Sequence, residues 1–242
     1  MSAQVLTYRT HLPVPAADVL AWHGRDSAFE RLTPPWAGVT VIESRGTMEP
    51  GDGKHLKIKF GPLNTEWRII HEALPGEIGF LDRQVSGPFA AWTHEHRFED
   101  DPKGGSWLED RITLKLPLGS AGNRLAGDRV MQTIDRNFAF RHQQTRHDLT
   151  LHARYADRKP MRIAVSGSTG LIGRRLLPFL KSGGHTVLPI VRKPTGAPGE
   201  IAWNPDRGEI DAKALEGCDA VIHLAGESIA GGRWNPGRKE RI

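Results

Sequence analysis

A change of pattern near residue 158 constrains this chain more than any other feature. Before it, apolar and polar residues alternate in short runs. After it, apolar runs are unbroken and are followed by helix-like stretches. In Ala91-Trp92-Thr93-His94-Glu95-His96-Arg97-Phe98, the residues Trp92, His94, His96 and Phe98 share one face, and Thr93, Glu95 and Arg97 share the other. Such alternation marks strands with one covered face, the habit of antiparallel sheets. Seven segments of this kind cover 4–11, 38–46, 54–60, 64–73, 77–85, 89–99 and 106–116. The turn signals Glu49-Pro50-Gly51-Asp52-Gly53, Pro75-Gly76 and Lys103-Gly104-Gly105 break them up, so the pattern predicts an antiparallel meander. Two short helices are predicted after the first strand, over 16–23 and 27–32, the second ended by Pro34-Pro35.

A long helix follows, over 120–155. Leu125, Val130, Ile134, Phe138, Arg141, Thr145 and Leu149 recur at three to five residues along it. One stripe on a long helix needs a curved sheet to pack against, and the seven strands supply it. The polar segment Asp157-Arg158-Lys159-Pro160 then ends in a helix breaker and separates a first domain, 1–156, from a second, 161–242. In the second, an apolar strand over 161–166 leads to a helix over 171–181. Gly183-Gly184 stops that helix, and further strands cover 185–191 and 220–225. Alternating strand and helix predict a parallel, doubly wound sheet.

Composition excludes several classes. No apolar run among the 242 residues approaches the ~20 a membrane span requires. The N-terminus lacks a signal-peptide layout, and a cytoplasmic location is the expectation. Cys218 is the one cysteine, which excludes an intrachain disulfide and a cysteine-based zinc site. The net charge of +5 is uneven: residues 1–160 carry 21 Lys/Arg against 20 Asp/Glu, and residues 161–242 carry 12 against 8. Apart from Arg233, Arg238, Lys239 and Arg241 the cations are scattered, without the basic stripe of a nucleic-acid binder. Nucleic acid is therefore not an expected partner, and an anionic cofactor is reason enough for the bias.

Gly167-Ser168-Thr169-Gly170-Leu171-Ile172-Gly173 stands between the apolar strand and the helix. Glycines permit a tight turn and close backbone approach to a pyrophosphate, and the helix N-terminus offers N–H groups and a positive dipole end. In that context the turn reads as a dinucleotide fingerprint. An NAD-specific fold places an acidic residue ~20 residues further on, to hold the ribose hydroxyl. Here Arg192 and Lys193 end the second strand instead, and a guanidinium suits a 2′-phosphate, so NADP is expected over NAD. The alternative for this pair is a solvated basic loop.

With the third strand, Asp219-Ala220-Val221-Ile222-His223-Leu224-Ala225-Gly226-Glu227, residues 161–242 resemble the extended short-chain dehydrogenase/reductase family of NAD-dependent epimerase/dehydratase type. That resemblance implies that Leu224, Ala225 and Gly226 border the cofactor. His223, a lone histidine in an apolar strand, is expected to face the core. The first domain also carries distinctive runs: Leu32-Thr33-Pro34-Pro35-Trp36, Phe80-Leu81-Asp82-Arg83-Gln84, Gly87-Pro88-Phe89, Leu116-Pro117-Leu118-Gly119 and Phe140-Arg141-His142. With Trp203-Asn204-Pro205 and Arg233-Trp234, they resemble a START-like (SRPBCC, cyclase/dehydrase) domain fused ahead of an epimerase-type domain in a bacterial oxidoreductase family. The fold expected is thus an α+β helix-grip domain followed by a partial Rossmann-type α/β sheet.

Trp67, His71, Asp82, Trp92, His94, His96 and Asp110 fall on candidate cavity strands and suit an apolar pocket with a few polar groups, occupied by a small hydrophobic ligand. His94 and His96 share a face, but no third ligand stands at a telling spacing, so no metal site is expected. Short-chain dehydrogenases act through a helical Tyr-x-x-x-Lys pair. Tyr155 and Lys159 have that spacing but precede the glycine turn, so no catalytic residue is assigned. The catalytic half is expected to be absent from these 242 residues, either because they are a fragment of a longer protein or because it has been lost. Two readings follow: an NADP-dependent oxidoreductase or epimerase with a hydrophobic-ligand domain, or a non-catalytic hydrophobic-ligand binder with a vestigial nucleotide site.

Overall fold

The computed structural model describes residues 3–25, 27–45, 48–60, 63–117, 119–226 and 234–241; Leu118, Glu227 and Arg233, quoted above, lie outside them. The chain divides into two compact units, Met1–Arg158 and Lys159–Ile242.

In the first unit, β1 (Gln4–Leu12) leads into α1 (Ala16–His23) and α2 (Ala28–Leu32). Six strands follow: β2 (Val39–Arg45), β3 (Gly53–Phe60), β4 (Leu63–Ala73), β5 (Ile78–Ser86), β6 (Ala91–Asp100) and β7 (Ser106–Lys115), then the helix α3 (Gly119–Ala153). The strands form one antiparallel sheet in the order β1-β7-β6-β5-β4-β3-β2. The meander therefore runs from β2 to β7. Contrary to a strictly sequential reading, β1 does not neighbour β2, because α1 and α2 intervene; it pairs with β7 along its whole length.

Alternation sets the buried face. Trp92, His94, His96 and Phe98 of β6 are buried, as are Ser106, Leu108, Asp110, Ile112 and Leu114 of β7. Register shifts at Val41/Glu43 and Arg68/Ile69 interrupt the ladder, as bulges that bend and twist a sheet do. On α3, Ile134, Phe138, His142, Thr145, Asp148 and Leu149 are buried. Two apolar clusters result. Leu12, Val19, Trp22, Leu32, Phe98, Leu108 and Leu149 form one near the short helices, and Trp92, Ile112, Leu114, Ile134 and Phe138 form the other. Arg31 of α2 grips Asp148 of α3 with two bonds of 2.7 Å.

The second unit is a five-stranded sheet in the order β11-β10-β9-β8-β12, from β8 (Arg162–Ser166), β9 (Thr186–Val191), β10 (Ile201–Asn204), β11 (Glu209–Ile210) and β12 (Ala220–His223). β8, β9, β10 and β12 run parallel, and β11 turns back antiparallel on β10. The pair β10 and β11 is absent from the pattern reading: four residues cut off by Pro205 carry no period, and only burial (Ile201 is 1% exposed) reveals β10. Helix α4 spans Gly173–Ser182. It starts two residues later than expected because 168–172 are spent on the turn. Gly184, at φ +91°, ends it by donating to Lys181 O.

Candidate functional site

The glycine turn leaves the carboxyl end of β8, beside the carboxyl end of its parallel neighbour β12. Gly167 sits at φ +68°, where other residues are strained, and a Cβ there would meet Leu224 C and Ala225 N at 2.7 and 2.8 Å. A Cβ on Gly173 would meet Gly167 O at 2.3 Å and Ser168 O at 2.7 Å. The turn thus packs backbone on backbone at both ends, as a dinucleotide cradle requires. Gly170 is the freest of the three, at 3.1 Å from Gly167 O. Leu171 and Ile172, 87% and 62% exposed, stand out at the turn's tip.

Ser166 ties the strand ends together. Its Oγ accepts from Leu224 N at 3.1 Å and Ala225 N at 3.2 Å, and lies 2.7 Å from His223 Nδ1. His223 is exposed, not core-facing, which corrects the expectation. In β12 the exposed positions are Val221 and His223, so the strand's alternation turns the ring outward to Ser166 and to the edge of Trp203. Ser168 and Thr169 lie in the turn; Leu224 and Ala225 are half-buried and Gly226 exposed; Arg192 and Lys193 are exposed just past β9. Tyr155 lies in a turn after α3 and is 66% exposed, so Tyr155 and Lys159 do not share a helix face.

The first unit holds a cavity of about 880 Å³ lined by the sheet, α2 and α3. The structure brings Trp67, His71, Asp82, Trp92, His94 and His96 together on its wall. Cross-strand register explains how: His71 of β4 pairs with Asp82 of β5, which pairs with His94 of β6. One residue pair along, His96 stands opposite Asp110 of β7. His71 Nδ1 lies 2.5 Å from Asp82 Oδ1, and His96 Nε2 lies 3.4 Å from Asp82 Oδ2. Behind the wall, Asp110 Oδ1 lies 2.8 Å from His96 Nδ1 and 3.1 Å from His94 Nε2, while Asp110 Oδ2 lies 3.0 Å from His142 Nε2. Asp82 joins His94 and His96 through the β5–β6 register, which no spacing in the sequence announces.

Burial opposes charge on every member, and the carboxylates decide the outcome. Against burial, the hydrogen bonds from His71 and His96 hold Asp82 well below the usual carboxylate range. The charges of His96 and His94 do the same for Asp110. Against burial again, Asp110 and then Asp82 raise His96 above the ordinary imidazole value. Burial, then the charge of His96, pushes His94 down to about 4. His71, Asp82, His94 and His96 thus form a polar patch on a cavity wall that also carries Trp67, Phe80, Trp92 and Phe138. Asp110 falls on a candidate strand, but its place behind both histidines and beside His142 was not legible without the β6–β7 register.

Residues 163–241 match the model of the NAD dependent epimerase/dehydratase family. The second unit matches as an epimerase/dehydratase-family domain. Within it, an epimerase family protein of Mycobacterium bovis is 44% identical over 80 residues, which are 33% of this chain and 27% of that protein. A solved nucleoside-diphosphate sugar epimerase from Corynebacterium glutamicum is similar over both units: 30% identity, TM-score 0.73, 97% of this chain and 47% of that one. The chain thus spans about a quarter of the curated relative and about half of the solved epimerase. The crystal structure of the ZhuI aromatase/cyclase from Streptomyces sp. R1128 is similar over 64% of this chain and 98% of its own, at 14% identity and TM-score 0.51, a likeness of fold. Among the described residues, no helix is long and apolar enough to cross a membrane.

Proposed function

We propose that this chain carries the cofactor-holding and ligand-holding parts of an NADP-dependent oxidoreductase or epimerase of the extended short-chain dehydrogenase type. The observation that carries the reading is the pair of glycines that no side chain can replace. Gly167 and Gly173 keep the strand–turn–helix backbone close enough for a pyrophosphate to lie on it, inside a segment that matches the epimerase/dehydratase model. The backbone of residues 167–173 would hold the pyrophosphate, Arg192 with Lys193 the ribose 2′-phosphate, and Leu224, Ala225 and Gly226 the rim. The cofactor supplies hydride chemistry; the chain supplies binding and orientation. The cavity of the first unit receives an apolar molecule with a polar end, which Arg141 attracts from its wall.

Calorimetric titration of the chain with NADP and NAD tests the cofactor assignment. A charge-assisted bond is worth about 1.5–3 kcal/mol, so NADP binds on the order of ten- to a hundredfold tighter. Arg192→Ala removes that preference and leaves NAD affinity unchanged. Equal affinities in the parent chain, or equal losses in the variant, make Arg192 a solvated loop residue. Binding of neither cofactor favours the second reading, a hydrophobic-ligand binder with a vestigial nucleotide site, which the cavity of the first unit supports.

A further inference from the structure

We infer that the polar wall of the first unit's cavity is a divalent transition-metal site, with Asp82, His94 and His96 as ligands. One ligand atom from each lies within 4.8 Å of the other two. Asp82 Oδ2 and His96 Nε2 are 3.4 Å apart. Two ligands at the ~2.0–2.1 Å of zinc–nitrogen and zinc–oxygen bonds, disposed tetrahedrally, are separated by about 3.3 Å. Closing the longest gap then asks for about 1.5 Å of side-chain motion at most, and all three side chains line the cavity.

The surroundings of the three ligands carry the inference further. A metal-bound histidine characteristically gives its other ring nitrogen to a carboxylate, and a metal-bound carboxylate is itself hydrogen-bonded. Here Asp110 stands on the far side of both rings, 2.8 Å from His96 Nδ1 and 3.1 Å from His94 Nε2, leaving His96 Nε2 and His94 Nδ1 for an ion. His71 plays the corresponding part for Asp82, with its Nδ1 at 2.5 Å from Oδ1. Asp110 in turn is held by His142 at 3.0 Å. His94 and His96 are 4% and 1% exposed, and their ring centroids approach to 3.7 Å. A shared cation gives that proximity a cause.

Two imidazoles and one carboxylate leave coordination positions open, and these face the cavity. That is the layout of a reactive metal centre, not of a closed structural one. A ligand whose polar end carries an oxygen donor, such as a carbonyl or enolate, would complete it. The site belongs wholly to the first unit and does not depend on the nucleotide assignment.

The test uses the whole chain, stripped with a chelator and dialysed. Zn(II) is titrated calorimetrically, Co(II) by its visible absorption, and the histidine ring signals are followed by NMR. The expected result is one ion per chain, a rise in melting temperature, ligand-field bands of low-symmetry Co(II), and shifts confined to the rings of His94, His96 and their neighbours. Asp82→Asn and His94→Gln weaken binding at least a hundredfold, and Asp110→Asn ten- to a hundredfold through positioning alone. The parent-chain measurements stand if a variant misfolds. Absence of stoichiometric binding to the parent chain overturns the inference, as does binding that leaves the two rings unshifted or survives in a folded Asp82→Asn chain.

Discussion

Replacing Asp148 with alanine removes one side of a two-point ion pair inside the first unit. The Asp148 side chain is 2% exposed and that of Arg31 10%. Arg31 Nε and a terminal guanidinium nitrogen reach the two carboxylate oxygens at 2.7 Å each, and Gln144 Nε2 donates to Oδ1 at 2.7 Å. Breaking such a pair from one side costs about 3–5 kcal/mol, because the surviving charge keeps its desolvation and loses both 2.7 Å bonds to the carboxylate. In a unit of this size 1 kcal/mol moves the melting temperature by roughly 2–4 °C, so Asp148→Ala lowers it by about 6–20 °C. The pair itself is a different quantity. Removing both charges as Arg31→Met with Asp148→Leu leaves stability within about 1 kcal/mol of the parent, or above it. Thermal melts of the parent, both single variants and the double variant complete the cycle. A loss below about 1 kcal/mol in Asp148→Ala, or a double variant no better than that single, would refute the reasoning.

Gly173→Ala drives a methyl into Gly167 O, so NADP affinity falls at least tenfold while Gly170→Ala costs less; parallel titrations that rank the two the other way count against the cradle. Ser166→Ala deprives Ala225 N of its hydroxyl acceptor and Leu224 N of one of two, the carbonyl of residue 166 remaining. At about 1–3 kcal/mol, amide exchange in β12 should quicken by roughly five- to a hundredfold, with β4–β7 unchanged, by mass spectrometry. Tyr155→Phe, on an exposed turn, changes stability by under about 0.5 kcal/mol and leaves cofactor binding alone. A fatty acid or aromatic polycycle present at a hundred times its dissociation constant stabilises the first unit by about 2.7 kcal/mol; no melting shift across such a panel contradicts an apolar cavity.

The central strands of the first unit were legible because they have one covered face: the alternation from Trp92 to Phe98 returns as the buried pattern of β6. Alternation says which face is covered and not which strand lies alongside, so the pairing of β1 with β7 had to come from the structure. The same limit applies to the site. His94 and His96 are adjacent in the pattern, whereas Asp82 and Asp110 join them only through the β5–β6 and β6–β7 registers. In the second unit, β8 and β9 announce themselves as apolar runs. β10 does not, since four residues carry no period, and His223 was misjudged because an apolar run does not say which of its two faces is covered: Ala220 and Ile222 pack on the core and Val221 and His223 do not.

The Ser166 clamp has a consequence for when the nucleotide cradle takes shape. Its partner His223 lies 57 residues further along the chain. At about 5–20 residues per second, a ribosome takes roughly 3–11 s to make that stretch. Over that interval the glycine turn is already made, but the strand end that Gly167 packs against is not. A nascent chain therefore carries the cradle's fingerprint before it carries a cradle, and the floor arrives only when β12 docks. Cofactor present during synthesis would reward that docking and act as a template for the last strand.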